Sequence, residues 1–209
     1  MRAYVIAMAS EAKAVYPALR EGDRLYISGI GKVNAAMATQ KAIDEGATEI
    51  VNAGVCGGFD PSMEIGDVFE VVRAVQYDFD LSDLNHTPVG QLDERESPYF
   101  CLETPVAEGR DGTVPDGAVL GTGDHFRNGD ADLPLLRSLG VTLRDMEGAA
   151  VAQVCEKNHI PCRLVKSVTN VQGRGSMTGQ YADNLAKALG TLTNYLMNRE
   201  TDRDVRKDV

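Results

Sequence analysis

Positive charge is scarce in this sequence of 209 residues. Its 21 Lys and Arg stand against 31 Asp and Glu, which gives a formal net charge of −10 at pH 7. Binding to a nucleic-acid backbone draws most of its free energy from clustered Lys and Arg side chains. The charge balance therefore argues against nucleic acid as a partner, and it leaves small-molecule ligands open.

Long hydrophobic runs are also missing. No apolar stretch approaches the roughly 18 residues that a membrane helix requires, so we expect no membrane partner. The N-terminal run from Ala3 to Met8 is short and is soon followed by Glu11, which predicts a buried strand instead of a signal peptide. We expect a cytoplasmic protein whose cysteines form no CxxC pair and are buried, reduced thiols: Cys56, Cys101, Cys155 and Cys162.

Residues that bind metals lack the spacing that a metal site requires. The three histidines are far apart in the sequence: His86, His125 and His159. The run Asp78–Asp83 resembles the start of a calcium loop, but its sixth position is Asp83 instead of glycine and its twelfth is Val89 instead of glutamate. We expect an acidic turn at this run and no metal site in the chain.

Nucleotide-binding fingerprints are incomplete. The segment Ser28–Asn34 follows a predicted strand and opens a helix, but Asn34 stands at the third glycine position of the dinucleotide fingerprint. Val33 follows Gly31-Lys32 where a P-loop needs Ser or Thr. We therefore expect neither a dinucleotide nor ATP at this turn, and no cofactor elsewhere.

Apolar, β-rich segments alternate with segments of helical period. The strand candidates are Ala3–Met8, Leu25–Ser28, Glu49–Ala53, Val68–Val75, Ala118–Gly121 and Cys162–Val168. The helix candidates are Ser10–Leu19, Lys32–Glu45, Ala131–Leu139 and Met146–Asn158. Strands that alternate with helices predict an α/β fold with helices on the faces of a sheet.

Residues 1–197 are expected to form a single domain. A last helix carries one apolar stripe, which consists of Tyr181, Leu185, Leu189, Leu192 and Leu196. Residues 198–209 have nothing apolar enough to dock, so we expect a frayed polar tail. The stretch from Tyr77 to Pro115 is long, acidic and rich in Pro and Gly, which predicts a functional loop over a site or a partner subunit.

We predict two glycine-rich turns, Ser28–Asn34 and Asn52–Gly58, each of which follows a predicted strand. Glycine lets a backbone approach a ligand closely, and ligands of α/β sheets bind beyond the carboxyl ends of strands. Either segment alone is equally well explained as a simple tight turn. Two of them at equivalent positions favour a ligand site.

A carboxylate, Glu147, lies in the first turn of a predicted helix with small residues behind it. Such a carboxylate has two explanations. It complements the helix dipole, or it accepts hydrogen bonds from two sugar hydroxyls and so orients a ribose ring.

Six short motifs spread over nearly the whole chain form a specific set. They are Ala7-Met8-x-x-Glu11, Ser28–Val33, Asn52-Ala53-Gly54-x-x-Gly57-Gly58, Ile65–Val68, Gly123-Asp124-x-Phe126 and Met146–Ala150. In this combination the chain resembles the 5′-methylthioadenosine/S-adenosylhomocysteine nucleosidase family, within the purine nucleoside phosphorylase superfamily. The resemblance implies a three-layer αβα fold around a central mixed sheet, hydrolysis of the N-glycosidic bond of a purine nucleoside, and a homodimer.

The resemblance also implies roles for individual residues. Glu11 would activate the attacking water, and Asn170 stands where the family has an Asp that protonates the leaving base. Glu147 and Met146 would hold the ribose, and Phe126 would stack on the base. The other expected contacts to the nucleoside are Met8, Ile30, Val55, Arg127 and Thr169.

Two positions depart from the family pattern. Asn170 cannot act as an acid, but its carbonyl can accept from a protonated purine N7 while its NH2 donates to an oxygen at C6. That pattern suits a 6-oxopurine better than adenine, and it is similar to futalosine hydrolases and trimeric purine nucleoside phosphorylases. Val55 stands where the nucleosidases have a Ser that helps to hold the water.

Three functions remain open at this point. Where the phosphorylases of the superfamily place Arg, this chain has Ala9-Ser10-Glu11 and Val51-Asn52, so water is the expected nucleophile. A nucleosidase for 5′-methylthioadenosine or S-adenosylhomocysteine is the first interpretation. The second is a futalosine hydrolase or another 6-oxopurine nucleosidase or phosphorylase, and the third is a nucleoside-binding protein with little catalysis.

Overall fold

The computed structural model describes residues 1–102, 117–129 and 131–207. The strands of this part are β1 (Arg2–Ile6), β2 (Arg24–Ile27), β3 (Glu49–Gly58), β4 (Val68–Gln76), β5 (Phe100–Cys101), β6 (Ala118–Thr122), β7 (Leu143–Asp145) and β8 (Cys162–Val171). Its helices are α1 (Ala9–Val15), α2 (Lys32–Asp44), α3 (Ser82–Asn85), α4 (Leu133–Ser138), α5 (Gly148–Lys157) and α6 (Met177–Lys207).

These strands form one mixed sheet. Neighbouring strands follow the order β2-β1-β3-β7-β6-β4-β5, and β8 pairs with both β3 and β4. β1 runs parallel to β2 and β3, and β3 runs parallel to β8. β4 is antiparallel to β5 and β8, and β7 is antiparallel to β3. The central mixed sheet is confirmed.

Helices cover both faces of this sheet, as alternation along β1 illustrates. Ala3 and Val5 belong to an apolar cluster that includes residues of α2 and α5. Tyr4 and Ile6 belong to another cluster, which includes residues of α1 and α6. Because successive side chains of a strand point to opposite faces, the two helix pairs lie on opposite sides of the sheet. The expected three-layer αβα architecture is confirmed.

The second glycine-rich segment is not a turn, and that prediction was wrong. Asn52–Gly58 lies within β3, which pairs in parallel with β1 on one side and with β8 along Ile50–Gly58. A side chain would not fit at two of its glycines: a Cβ on Gly54 would lie 2.5 Å from Glu11 Oε1, and one on Gly57 would lie 2.9 Å from Asn170 Nδ2. The glycines therefore make room for side chains of the neighbouring elements.

Helix α6 continues through the polar C-terminal segment to Lys207, where the sequence predicted a frayed tail. Its apolar stripe docks through the fully buried Leu192 and Leu196. A helix that is already nucleated extends at low cost through residues such as Arg, Glu and Lys, which have high helix propensity.

The stretch from Tyr77 to Pro115 contains two short elements, α3 and β5, and β5 extends the sheet beside β4. Its residues 103–115 lie outside the part that the structure describes. Cys101 on β5 is exposed, contrary to expectation, whereas the other three cysteines are buried; all four are free. None of the helices described is long and apolar enough to span a membrane.

Candidate active site

The predicted site residues come from the carboxyl ends of β1, β3, β6, β7 and β8. These five strands form two parallel sets, β1 with β3 and β8, and β6 with β7. The second set meets the C-terminal part of β3 in antiparallel pairing, with Arg144 opposite Gly57, so the carboxyl ends of the two sets converge there. Parallel strands end at the same edge of a sheet, and ligands of α/β proteins bind outside that edge. The topology thus explains why residues as far apart in sequence as Met8 and Asn170 belong to one region.

Glu11 is a buried carboxylate held at both oxygens by main-chain amides. Met8 N–H donates to Oε2 at 3.0 Å, and Val55 N–H donates to Oε1 at 2.9 Å. The first bond is one half of a capping box at the start of α1, where Met8 is the N-cap. The second comes from β3 and has no role in capping, so it ties the carboxylate to the glycine-rich strand.

The pKa of the Glu11 carboxyl is higher than that of an ordinary glutamate. Burial raises the pKa of its carboxyl, against the opposing effects of the Val55 amide, the Lys166 ammonium and the Met8 amide. A carboxylate of raised pKa is a better general base than one in water. The site therefore places a proton acceptor of fixed geometry at the junction of β1, α1 and β3.

Glu147 is a second buried carboxylate, and it lies at the N-cap of α5 instead of within its first turn. Its Oε1 accepts from the N–H of Gly31 at 2.9 Å. This bond joins the β7–α5 connection to the first glycine-rich turn. Burial, followed by the charge of Asp145, raises the pKa of Glu147 to about 7.

A buried ammonium, Lys166 on β8, balances these carboxylates. Its Nζ lies 2.8 Å from Asp145 Oδ2 and donates to Asn52 Oδ1 at 2.7 Å. Burial lowers the pKa of Lys166, but the charges of Asp145, Glu147 and Glu11 outweigh burial, so the pKa is raised. Lys166 is thus a permanent cation with a side-chain exposure of only 2%.

Asp145 is fully engaged by its neighbours. Thr122 Oγ1 donates to its Oδ1 at 2.6 Å, and Gly148 N–H donates to its Oδ2 at 2.9 Å, beside the contact with Lys166. These bonds leave Asp145 little capacity to bind a ligand. Its carboxylate instead neutralises Lys166 and fixes the start of α5.

Asn170 is buried at the end of β8. Its Oδ1 accepts from the Thr169 hydroxyl at 2.7 Å, and its Nδ2 donates to the sulfur of Met177 at 3.4 Å. A thioether is a weak acceptor, so the NH2 group keeps donor capacity for a ligand. The predicted site residues Thr169 and Asn170 therefore lie together, as a unit that Met177 of α6 covers.

An aromatic pair lies between α6 and the loop after β6. Phe126 and Tyr181 make an edge-to-face contact with ring centroids 6.0 Å apart, and the Tyr181 hydroxyl lies 3.5 Å from the sulfur of Met8. These contacts connect Phe126 to Met8 and hence to Glu11. Phe126 is 46% exposed, which leaves a ring face for a planar ligand.

The other predicted contacts are less constrained. Ile30 is 51% exposed in the glycine turn, whereas Val55 and Met146 are half-buried. The guanidinium of Arg127 lies 3.6 Å from Asp132 and is half-exposed, and its described contact is with that carboxylate. The role of these four residues stays a prediction.

Four residues of this region are not among those predicted from the sequence: Asn52, Asp145, Lys166 and Tyr181. The sequence does contain a signal for Lys166, because a lysine within the apolar run Cys162–Val168 either lies at a sheet edge or is buried with a charged or polar partner. Tyr181 was assigned to the apolar stripe of the last helix. Within residues 1–102, 117–129 and 131–207, no cluster of His, Cys, Asp and Glu could hold a metal ion.

Fold and site together define an α/β protein with two buried carboxylates, a buried amide and a half-exposed aromatic ring where the carboxyl ends of two sets of strands converge. A sequence model of the phosphorylase superfamily matches residues 21–197.

A 5′-methylthioadenosine/S-adenosylhomocysteine nucleosidase from Marinomonas sp. is 36% identical over 158 residues, which cover 71% of this chain and 68% of that protein. An aminodeoxyfutalosine nucleosidase from Campylobacter jejuni is 31% identical over 157 residues, which cover 71% and 68%. The chain therefore belongs to the phosphorylase superfamily and, within it, to the family of 5′-methylthioadenosine/S-adenosylhomocysteine nucleosidases.

Solved structures support the fold. An aspartate-to-asparagine mutant of the Helicobacter pylori nucleosidase, with 5′-methylthioadenosine in its active site, superimposes with a TM-score of 0.82 at 20% identity. The match covers 97% of this chain and 98% of that one. At this identity the likeness is one of fold alone.

Proposed function

We propose that the chain hydrolyses the N-glycosidic bond of a purine nucleoside and releases the free base, with 5′-methylthioadenosine or S-adenosylhomocysteine as the leading substrates. The observation that carries this proposal is the buried carboxylate of Glu11, which amides from two different elements hold at both oxygens. The names of the related nucleosidases support the substrate class.

Glu11 would act as the general base. Cleavage passes through a ribose with oxocarbenium character, and a water must attack its anomeric carbon. Each carboxylate oxygen keeps a lone pair beyond its amide bond, so Glu11 can take the proton of that water. The water oxygen then bonds to the anomeric carbon, and the electron pair of the glycosidic bond leaves with the base.

Glu147 would hold the ribose. With Oε1 fixed by the Gly31 amide at 2.9 Å, its remaining lone pairs can accept from two neighbouring sugar hydroxyls. The pKa of about 7 means that the carboxylate is half ionised near neutral pH, and the ionised form is the better acceptor of hydroxyl protons. Negative charge here and at Glu11 also stabilises a positively charged ribose.

Water is a better nucleophile for this site than phosphate. A phosphate dianion needs several cationic donors. Among the described residues of the site, the buried cation is Lys166, and its charge is neutralised by Asp145 at 2.8 Å. Glu11 and Glu147, when ionised, would repel a phosphate dianion. These charges favour hydrolysis over phosphorolysis.

Asn170 supports a second candidate, a nucleosidase that acts on futalosine or another 6-oxopurine. Its Nδ2 has only the sulfur of Met177 as a described acceptor, so it is available to an oxygen at purine C6. Adenine offers a donor there instead. One related protein is named an aminodeoxyfutalosine nucleosidase, so substrates vary among the relatives.

Base release distinguishes these candidates. We expect phosphate-independent release of free base from 5′-methylthioadenosine or S-adenosylhomocysteine, with adenosine, inosine and futalosine as comparisons. Asn170→Asp should shift the preference toward adenine nucleosides by about tenfold, equivalent to about 1.4 kcal/mol. Release of hypoxanthine alone would support the second candidate, and binding without release would support a nucleoside-binding protein.

We propose further that the protein is a homodimer. Four apolar side chains along the segment from the end of β2 to the middle of α2 are between 51% and 70% exposed: Ile27, Ile30, Val33 and Met37. An exposed apolar stripe of this kind is typical of a protein interface. Sedimentation should give a dimer that Met37→Glu weakens. Tyr16→Glu, in the short 3-10 helix Tyr16–Ala18 that follows α1 on the other face of the sheet, should leave it intact. A wild-type monomer at micromolar concentration would contradict the proposal.

The cellular compartment of the protein is also a proposal. Four free cysteines are typical of a reducing compartment, so we infer that the protein works in the cytoplasm. Fractionation of the source cells should recover it with cytoplasmic markers, and recovery outside the cytoplasm would contradict this.

A further inference from the structure

Three charged residues outside the proposed chemistry are bonded to one another where the first glycine-rich turn meets α2. They are Lys32 at the start of α2, Asp78 after β4 and Asp124 after β6. We call this group the clasp. Asp78 and Asp124 each lie two residues beyond the paired ends of β4 and β6, Gln76 and Thr122, and Lys32 joins both of them to the start of α2.

The clasp is a closed ring of hydrogen bonds. Lys32 N–H donates to Asp124 Oδ1 at 2.8 Å, and Asp124 N–H donates to Asp78 Oδ2 at 2.9 Å. The Lys32 ammonium closes the ring on Asp78 Oδ1 at 2.6 Å. Side-chain exposures of 17% for Lys32 and 21% for Asp78 keep this ion pair partly shielded from water.

The ring of hydrogen bonds also fixes the position of the neighbouring Gly31 amide. Gly31 and Lys32 present consecutive N–H groups, and these donate to two carboxylates on different segments, Glu147 and Asp124. Gly31 has a φ of 100°, in the left-handed region that favours glycine, and a Cβ on it would lie 3.2 Å from Asp124 Oδ1. A displacement of Lys32 therefore moves the amide that holds Glu147.

The clasp also contacts the segment that carries Phe126. Asp124 stands two residues before Phe126, and its N–H is anchored on Asp78. Their sequence neighbours Tyr77 and His125 are also joined, since the Tyr77 hydroxyl lies 3.2 Å from His125 Nε2. Asp78 thus supports the segment that presents Phe126 as well as the turn that presents Gly31.

We propose that Lys32, Asp78 and Asp124 are positioning residues for the nucleoside: Lys32 and Asp78 set the Gly31 amide against Glu147, and Asp78 and Asp124 set the Phe126 segment. This inference rests on the proposed function for the roles of Glu147 and Phe126. None of the three residues is a catalytic residue, because each acts through another group.

Lys32→Met removes the ion pair but leaves Asp78 bonded to the Asp124 amide. We expect KM for 5′-methylthioadenosine to rise about tenfold with kcat within about threefold, because binding of the ribose is lost, and affinity for adenine to stay unchanged. Asp78→Asn should raise KM by a similar factor, whereas Lys32→Arg should keep the wild-type KM. The double variant Lys32→Met/Asp78→Asn should have a KM no higher than that of either single variant. Asp78→Ala should lower affinity for adenine as well.

The matched control is Lys41→Met, on the same helix, where the lysine faces Glu45 on the surface at 3.9 Å. Hydrogen exchange of the peptide spanning residues 29–33, measured without ligand, tests the clasp independently of catalysis. Exchange should be at least about fivefold faster in Lys32→Met than in wild type or Lys41→Met. Equal exchange, or an equal KM in the two Met variants, would overturn the proposal. A wild type that releases no base would count against the proposed function, and the exchange result would still decide the clasp.

Discussion

Replacement of Lys166 by methionine removes the buried cation of the site while roughly conserving volume. Wild-type Lys166 has an exposure of 2%, lies 2.8 Å from Asp145 and donates to Asn52 at 2.7 Å. The variant leaves Asp145, Glu11 and Glu147 without a compensating positive charge. Removal of one partner of a buried ion pair costs about 3–5 kcal/mol.

The loss of unfolding free energy in Lys166→Met should depend on pH. Burial already raises the pKa of Glu11 and of Glu147, and loss of the ammonium removes an effect that lowers both, so these two carboxyls bind protons still more tightly in the folded protein than in the unfolded chain. A carboxyl whose folded pKa is raised contributes stability that is present below its unfolded pKa and is lost as pH rises through its folded pKa. We therefore expect the deficit of Lys166→Met to be largest at pH 8 and to shrink toward pH 5.

Urea unfolding of wild type and Lys166→Met at pH 5 and pH 8 measures both quantities, and Lys41→Met controls for the loss of an exposed lysine. A deficit of about 3–5 kcal/mol at pH 8 corresponds to a fall in Tm of roughly 10 °C for a chain of this size. A deficit below about 1 kcal/mol, the range of surface pairs, or one that is equal at both pH values, would refute the electrostatic argument.

Two further predictions concern the carboxylates. The pKa of Glu147, about 7 in the folded protein against an ordinary 4.5, means that its contribution to stability is complete below pH 4.5 and is lost as pH rises through 7. Glu147→Gln should reduce the fall in unfolding free energy between pH 5 and 8, and an unchanged pH profile would contradict the assignment. Gly54→Ala places a Cβ 2.5 Å from Glu11 Oε1 and should lower kcat about 100-fold. Gly190→Ala on α6, with open space around it, is the control, and similar kcat values for the two variants would show that the position of Glu11 is not critical.

Much of the fold follows from local sequence signals. Alternating apolar segments predict six of the strands, and β1 shows why: its successive residues serve two apolar clusters on opposite faces. The two strands that escape prediction, β5 and β7, have two and three residues, too short for a periodic signal. The predicted β3 ends at Ala53 because glycine normally ends a strand, whereas here β8 pairs with its backbone as far as Gly58 and β7 pairs with Gly57 and Gly58 on the other side.

The site is less predictable than the fold. Motifs identify Glu11, Glu147 and Asn170, but a motif does not reveal which donors hold each group. The bond from Val55 to Glu11 spans 44 residues, and that from Gly31 to Glu147 spans 116. Such contacts depend on strand order, which no local pattern encodes. The role of Lys166 could not be predicted for the same reason, since its partners Asn52 and Asp145 lie on other strands.

The most direct test of the central claim is release of free base by wild type and Glu11→Gln, each with and without phosphate. We expect wild type to release base from 5′-methylthioadenosine at a rate that phosphate does not change. We expect Glu11→Gln to bind the nucleoside but to turn it over about 10²–10⁴-fold more slowly. A rate that requires phosphate, or a Glu11→Gln variant as fast as wild type, would contradict the assignment of Glu11 as the base that activates water.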